Sequence, residues 1–334
     1  MLYLIGFVLC ATVIFFAGKR LSFYGDLLAE RTGMSKGWIG LILMASVTSL
    51  PELMVGISSS AFIQSADLAV GDILGSCAFN LGILAMLDAF TPNHKPLFGV
   101  ASQTHMLNAG LGIILIAMAG IAMFIPHDVA ITPWIALSSI LFIIVYLVSI
   151  RVIYLNEQNH REDMLQQVPF VLEAKDMPLK KIIRNYAGFA TIIIVAALAL
   201  PFFAEHIAEI TGLGKSFVGT FFLAASTSLP EIAVSIAAVR MGSIDLAVGN
   251  LLGSNIFNIL ILAIDDLFYH KGLLLKDASA FNLISVFSTI IMTAVVIIGL
   301  SYRAKGKRYL LAWDALLIFV IYFVNLFILY RLTS

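Results

Sequence analysis

Two copies of one pentapeptide hold the residues in this chain whose types and spacing could do chemistry. Each copy places a carboxylate in the middle of a hydrophobic segment, with a proline immediately before it. A charge near the centre of a bilayer costs at least ~2.5–3.5 kcal/mol, so such a carboxylate indicates a functional site. The copies are Thr48-Ser49-Leu50-Pro51-Glu52 and Thr227-Ser228-Leu229-Pro230-Glu231.

The atoms that the pentapeptides offer are oxygens. Proline has no N–H, so the carbonyls of Val47 and Ser226 lose their helical partners. In a membrane, such groups persist only where they are buried in protein or line a polar cavity. Carbonyl, hydroxyl and carboxylate oxygens suit hard cations such as Ca²⁺, whereas softer metals prefer His or Cys. The pentapeptides therefore predict a site for a hard cation.

Each pentapeptide is followed by a segment with a polar stripe. Residues four apart share one face of a helix. Glycines at a four-residue spacing permit close helix contact, so four helices can point their oxygens into one space. The stripes consist of Asp72, Ser76 and Asn80 in the first half and of Asn250, Ser254 and Asn258 in the second.

The elements that must position these residues are membrane helices. The chain is 60% hydrophobic and only 12% charged, against about 25% charged residues in soluble domains. Its formal charge of zero does not suggest a nucleic-acid partner. A crossing helix needs about 20 apolar residues, which predicts ten spans. They lie near 2–18, 37–63, 68–87, 106–125, 129–150, 185–204, 214–239, 246–264, 282–300 and 309–330.

The two halves of the chain form an internal repeat. Residues 30–52 match residues 209–231 at 11 of 23 positions, and residues 67–85 match residues 245–263 at 13 of 19. Because each half carries five predicted spans, the halves must cross the membrane in opposite directions. This predicts an all-α integral membrane protein of two inverted five-helix repeats. The first repeat is residues 1–155, a short cytoplasmic linker is 156–183, and the second repeat is 184–334.

The loop charges predict the orientation. Sixteen of the 20 lysines and arginines fall on one side of the ten predicted spans. Positive loops face the cytoplasm, so both termini are expected outside the cell membrane (the inner membrane of a bacterium). The expected partners are inorganic cations and the lipid bilayer, with no nucleic acid and no obligate protein partner.

The paired motifs resemble the alpha repeats of the sodium/calcium exchanger family, within the calcium/cation antiporters. Each Thr-Ser-Leu-Pro-Glu is followed by Gly-(Asn/Asp)-x-x-Gly-Ser-x-x-x-Asn. The resemblance implies a prokaryotic-type exchanger, without a large regulatory loop, that moves Ca²⁺ against Na⁺ by alternating access and uses no cofactor. It implies Glu52 and Glu231 as the central ligands. The further expected ligands are Thr48, Ser49, Ser76, Asn80, Thr227, Ser228, Ser254 and Asn258, with backbone carbonyls of Ala45 and Ala224.

Several positions depart from the family pattern. Val47 and Ser226 replace the usual glycine before Thr-Ser, and Asp72 and Cys77 stand where Asn is usual. Asn258 replaces a frequent Asp. With amides at both Asn80 and Asn258, two central carboxylates match one Ca²⁺ but not three Na⁺. Coupling to H⁺ stays open because burial can raise the pKa of a glutamate by units.

Other interpretations of these residues also stay open. Ser49-x-x-Glu52 and Ser228-x-x-Glu231 fit capping boxes that would merely restart a broken helix. Asp72 either attracts cations at an external mouth or caps and pairs near the membrane surface. A passive channel with the same ligands, or an intramembrane hydrolase with paired carboxylates, are rival functions. An enzyme is not expected, because no repeat-symmetric nucleophile or metal triad accompanies the carboxylates.

Overall fold

The protein is almost entirely helical. The computed structural model describes residues 2–32, 45–91, 95–125, 130–159, 177–240, 242, 244–307 and 310–333. Its first-half helices are α1 Leu2–Thr32, α2 Ala45–Thr48, α3 Leu50–Ser58, α4 Ala66–Asp88, α5 Leu97–Val100, α6 His105–Phe124 and α7 Leu137–Asn159. Its second-half helices are α8 Leu179–Thr211, α9 Lys215–Val218, α10 Ala224–Thr227, α11 Leu229–Arg240, α12 Ile244–Phe268, α13 Leu274–Asp277, α14 Asn282–Tyr302 and α15 Trp313–Thr333.

The helix lengths confirm an all-helical membrane protein. Within the described ranges, eight helices are long and apolar enough to cross a membrane, or nine if the bent pair α9–α10 and α11 is one span. The predicted span 37–63 begins with residues outside the described ranges, and its described part is the shorter apolar stretch Leu50–Ile63. The count of ten spans and the inverted relation of the halves therefore stay predictions.

Several predicted boundaries differ from the observed ones. The fifth span was expected from residue 129, but a short antiparallel hairpin of β1 Ala130–Thr132 and β2 Ile135–Ala136 precedes α7. The predicted linker 156–183 is helical at both ends, because α7 continues to Asn159 and α8 begins at Leu179. Polar residues such as Asn156 continue the helices beyond their apolar segments, and a prediction from hydropathy ends where the apolar residues end.

Helices α4 and α12 form the centre of the bundle. In the most apolar stretches of α4 and α12, 89% and 83% of the residues are buried, compared with 22% in α1 and 33% in α8. The two central helices pack against each other, while α1 and α8 lie side by side at the exposed edge. The residues of the polar stripes therefore sit where lipid is excluded.

Two aspartates each bond to the start of a helix that is distant in sequence. Asp67 and Asp245 lie in the first turns of the two central helices, α4 and α12. Asp67 accepts a hydrogen bond from the backbone N–H of Ser279 at 2.6 Å, ahead of α14. Asp245 accepts one from Ser102 at 2.6 Å, ahead of α6. Each therefore ties the start of a central helix to a neighbouring helix, and the two ties are equivalent under the sequence repeat.

Candidate cation site

The site begins at two broken helices. At each break one serine separates two helical pieces, Ser49 between α2 and α3 and Ser228 between α10 and α11, with backbone ψ near 12° and 10°. The following proline cannot donate to the turn before it. The piece from Lys215 to Thr227 is bent by 47° from α11. The breaks place both pentapeptides at the centre of the bundle.

The serines at the breaks connect the two halves. Ser228 donates a hydrogen bond from Oγ to Glu52 Oε1 at 3.0 Å, and Ser49 donates one to Glu231 Oε1 at 3.3 Å. The Ser49 hydroxyl makes no capping bond to its own helix. The capping-box interpretation is therefore wrong for Ser49, and the hydroxyl of Ser228 likewise points at the opposite glutamate.

A chain of oxygens continues from Glu52 to Asp72. Ser76 Oγ lies 3.3 Å from Ser228 Oγ and 3.4 Å from Thr227 Oγ1. Thr227 in turn donates to Asp72 Oδ1 at 3.2 Å. Asp72 is 0% exposed, so it is a third carboxylate of the buried cluster. Whether Asp72 attracts cations or only pairs within the bundle stays a prediction.

The second half supplies the matching groups around Glu231. Thr48 and Ser254 lie near its carboxylate, and the Ser254 hydroxyl has no hydrogen-bond partner among the described residues. Thr48 Oγ1 also lies 3.5 Å from Asn250 Oδ1, and Asn250 donates to Ser235 Oγ at 3.4 Å. The repeat is thus conserved in placement, but Asn250 takes the position that Asp72 holds in the first half.

Amides tie α4 to α12 beside the carboxylates. Asn80 donates to Asn255 Oδ1 at 3.0 Å, and Asn255 donates to the carbonyl of Cys77 at 3.1 Å. Asn258 donates to Cys77 Sγ at 3.7 Å. Because their N–H groups are engaged, Asn80 and Asn258 are left with carbonyl oxygens that have no partner among the described residues.

The electrostatics of the cluster favour a cation. Glu52, Glu231 and Asp72 are each at most 1% exposed, and each has one carboxylate oxygen without a partner among the described residues. No lysine, arginine or histidine in the described part of the chain forms an ion pair with them. Glu231 and Asp72 both repel the carboxylate of Glu52. A bound cation would relieve this unfavourable burial of charge.

The donor set fits a hard ion rather than a soft one. Hydroxyls link Glu52 to Asp72, and the Ser49 hydroxyl bonds Glu231. No group of three His, Cys, Asp or Glu side chains in the described ranges is close enough to hold a metal by itself. Ala45 and Ala224 lie one turn before Ser49 and Ser228. Their carbonyls accept from those backbone N–H groups at 2.9 and 3.1 Å. Oxygen-only coordination of this kind suits Na⁺ or Ca²⁺.

The family model of the sodium/calcium exchanger proteins matches residues 2–154 and 185–331 of this chain. The chain belongs to the sodium/calcium exchanger family. Exchangers are transporters, so the protein is a multi-pass membrane cation antiporter.

Individual relatives cover most of this exchanger. It is 29% identical over 255 residues to "Inner membrane protein YrbG" of Escherichia coli, covering 75% of this chain and 74% of the relative. It is 25% identical over 330 residues to "Sodium/calcium exchanger MaX1" of Methanosarcina acetivorans, covering 91% of each.

The fold is also that of a solved exchanger. A structure of the sodium-calcium exchanger NCX_Mj, soaked with 2.5 mM Na⁺ and 0.1 mM Sr²⁺, superposes with a TM-score of 0.63. The superposition covers 97% of both chains at 20% sequence identity. At this identity the likeness concerns the fold, and the ions that this exchanger carries must be argued from its own residues.

All twelve residues that the sequence suggested as ligands lie in the described part of this exchanger, on the broken helices and on α4 and α12. Sequence reasoning missed three participants of the polar network: Ser235, Asn255 and the Sγ of Cys77. Asn255 occupies the repeat position of Cys77, where the family pattern has Asn. The repeat alignment could have singled it out, because both residues fall inside the second motif.

Proposed function

We propose that this exchanger moves Ca²⁺ against Na⁺ at one central site shared by its two halves. The observation that carries the proposal is the crossed pair of bonds, in which each pentapeptide's serine holds the other pentapeptide's glutamate. Since neither half holds its glutamate alone, occupancy of one glutamate is sensed by both halves. That is what alternating access around a fixed midplane site requires.

The charge of the cluster supports sodium coupling. Two carboxylates match one Ca²⁺, and Asp72 adds a third negative charge beside Thr227. When ionised, the three carboxylates balance three Na⁺ or leave one negative charge around one Ca²⁺. In the proposed assignment Glu52 and Glu231 are ligands of Ca²⁺ and, in the alternate step, of Na⁺. The remaining ligands are Thr48, Ser49, Ser76, Asn80, Thr227, Ser228, Ser254 and Asn258, with the carbonyls of Ala45 and Ala224.

The proposed architecture follows the sequence repeat. Ten spans in two inverted repeats, residues 1–155 and 184–334, would place both termini outside the cell or inner membrane. Helices α1 and α8 pack on each other and also contact α11 and α3. Their position at the exposed edge supports a sliding movement of this pair across the central helices, which would expose the site to each side in turn.

The test is Ca²⁺ uptake into proteoliposomes. Ca²⁺ uptake is measured at clamped voltage in vesicles that have either an outward Na⁺ gradient or an outward proton gradient. The wild type, Glu52→Gln and Glu231→Gln are compared. We expect uptake driven by Na⁺ and abolished by each substitution. Asp314→Asn is the matched control, since it also removes a buried carboxylate, one that accepts from Ala315 N–H at 2.8 Å outside the site.

A second candidate is exchange of Ca²⁺ for H⁺ at the same site. It is favoured by the partnerless oxygens of Glu52 and Asp72, which a proton could occupy in place of a cation. Uptake driven only by the proton gradient would select this branch. Uptake indifferent to both gradients would instead indicate a channel and contradict antiport at this site.

A further inference from the structure

One buried carboxylate outside the central cluster makes no hydrogen bond in the described part of the chain. Asp265, near the end of α12, is 0% exposed, and neither of its oxygens has a hydrogen-bond partner among the described residues. Its neighbour Asp266 is the opposite case. It accepts from the N–H groups of Ala136 and Leu274 at 3.0 Å each and from the Ser139 hydroxyl at 2.6 Å.

Asp265 rests in a cradle that a glycine leaves open. A Cβ atom at Gly56 of α3 would overlap both carboxylate oxygens of Asp265. Gly56 is one helical turn after Glu52, and Asp265 is two turns after Asn258, so the cradle lies between the central cluster and the end of the bundle at which α12 ends. Asp72 and Asp266 lie near enough to repel a negative charge on Asp265.

Two hydroxyls share the face of Gly56. Ser59 and Ser60 follow it by three and four residues, in the π-helical turn Ser59–Ile63 that packs against α12. Both are 0% exposed, and neither hydroxyl has a partner among the described residues. The adjacent Ser58 is different, because it donates to the carbonyl of Leu198 at 2.8 Å. Three buried polar side chains without partners among the described residues, those of Asp265, Ser59 and Ser60, therefore lie on two elements that pack against each other.

The positions related to these residues by the sequence repeat do not carry the same groups. Under the repeat offsets of 178 and 179, Leu87 stands for Asp265, Ser235 for Gly56, and Ala238 and Val239 for Ser59 and Ser60. The central cluster is duplicated in both halves, whereas these groups occur once. These groups therefore break the symmetry of the repeat.

We propose that Asp265, Ser59 and Ser60 form a second cation position, through which Na⁺ passes between the central site and the end of the bundle where α12 ends. One carboxylate and neutral hydroxyls balance a monovalent hard cation, whereas a divalent one would leave a buried net charge. The identity of the ion rests on the sodium coupling proposed above; the position itself rests on the partnerless groups.

The test measures Na⁺ binding to purified protein rather than transport. The excess ²³Na NMR linewidth is titrated in the variant Glu52→Gln/Glu231→Gln, whose central site is disabled. We expect broadening to persist there, and to fall at least about fivefold when Asp265→Asn or Ser59→Ala/Ser60→Ala is added. Ser58→Ala is the matched control and is expected to leave the broadening unchanged.

One result would overturn the proposal. If the ²³Na linewidth of Glu52→Gln/Glu231→Gln equals that of the variants that also lack Asp265 or both serines, the second cation position does not exist. Gel filtration of each variant separates loss of binding from loss of folding, and the serine variants keep the test decisive if Asp265→Asn does not fold. Failure of Na⁺-driven Ca²⁺ uptake by the wild type would overturn the proposed function without altering this binding comparison.

Discussion

At the scale of single residues, the serines at the two helix breaks hold the site together. Ser228 bonds Glu52 and Ser49 bonds Glu231, so each hydroxyl joins a carboxylate from the other half of the chain. A hydrogen bond to a charged group contributes ~1.5–3 kcal/mol, and every ~1.4 kcal/mol is tenfold in affinity.

Replacing Ser228 therefore tests the crossed bonds. We expect Ser228→Ala to raise the half-saturating Ca²⁺ concentration for uptake by roughly tenfold or more. The matched control is Ser226→Ala, two residues earlier, whose hydroxyl bonds the carbonyl of Phe222 at 2.8 Å. Equal effects of the two substitutions would mean that the bond to Glu52 does not support cation binding.

Asp72 carries the second prediction at this scale. Asp72→Asn removes one charge while keeping the shape, and Asn is what the second half has at Asn250. We expect the half-saturating Na⁺ concentration to rise at least about tenfold, since roughly 1.4 kcal/mol of attraction suffices. This concentration is measured by following Ca²⁺ uptake as a function of Na⁺ concentration. An unchanged Na⁺ dependence would show that Asp72 does not take part in Na⁺ binding.

The case of Asp72 shows what the sequence can and cannot predict about residues. Its type and its stripe with Ser76 were evident, because four-residue spacing fixes which residues share a helix face. Its burial against Thr227 was not, because that contact joins residues 155 positions apart. The pairing of Ser49 with Glu231 was hidden for the same reason. Local periodicity specifies a face, but only tertiary packing specifies what the face meets.

At the scale of elements, close contact between α4 and the second broken helix places the oxygens. A Cβ at Gly75 would lie 2.5 Å from Thr220 Cα and 2.6 Å from its carbonyl oxygen. Thr220 is in the π-helical turn Gly219–Leu223, directly before Ala224. Only a glycine at position 75 lets this backbone approach, which agrees with the small-residue spacing read from the sequence.

Gly75→Ala should therefore destabilise the protein, whereas Gly82→Ala on the same helix should not. Overpacking costs ~1–3 kcal/mol, and here the clash is with backbone that cannot rotate away. At Gly82 the nearest atom is 3.7 Å from an added Cβ, in the ring of Tyr322. Thermal unfolding of the two variants is monitored by gel filtration. Equal unfolding midpoints would contradict the tight contact between Gly75 and Thr220.

Most of the long helices could be predicted from hydropathy, and the observed α6 and α14 lie within one or two residues of the predicted 106–125 and 282–300. The hairpin β1–β2 was missed, because Ala130, Ile131 and Ile135 are apolar and extend the hydropathy of α7. The bonds of Asp67 and Asp245 to the starts of other helices were not predictable, because they join residues more than 140 positions apart.

At the scale of the whole molecule, the repeat predicts the topology. The predicted ten spans would return the C-terminus to the side of the N-terminus, and the loop charges predict that this side is outside. We expect alkaline phosphatase fused after residue 334 to be active in cells and a fluorescent protein fused there to be dark. The reverse pattern would contradict the predicted orientation, while the fold would stand.

The whole-molecule account depends on one shared site rather than one site in each half. Equilibrium binding of ⁴⁵Ca²⁺ to the purified protein, with Na⁺ as competitor, tests this most directly. The account predicts one Ca²⁺ per chain, displaced by Na⁺ and lost in Glu52→Gln and in Glu231→Gln alike. Two Ca²⁺ per chain, with half of the binding surviving each single substitution, would contradict it.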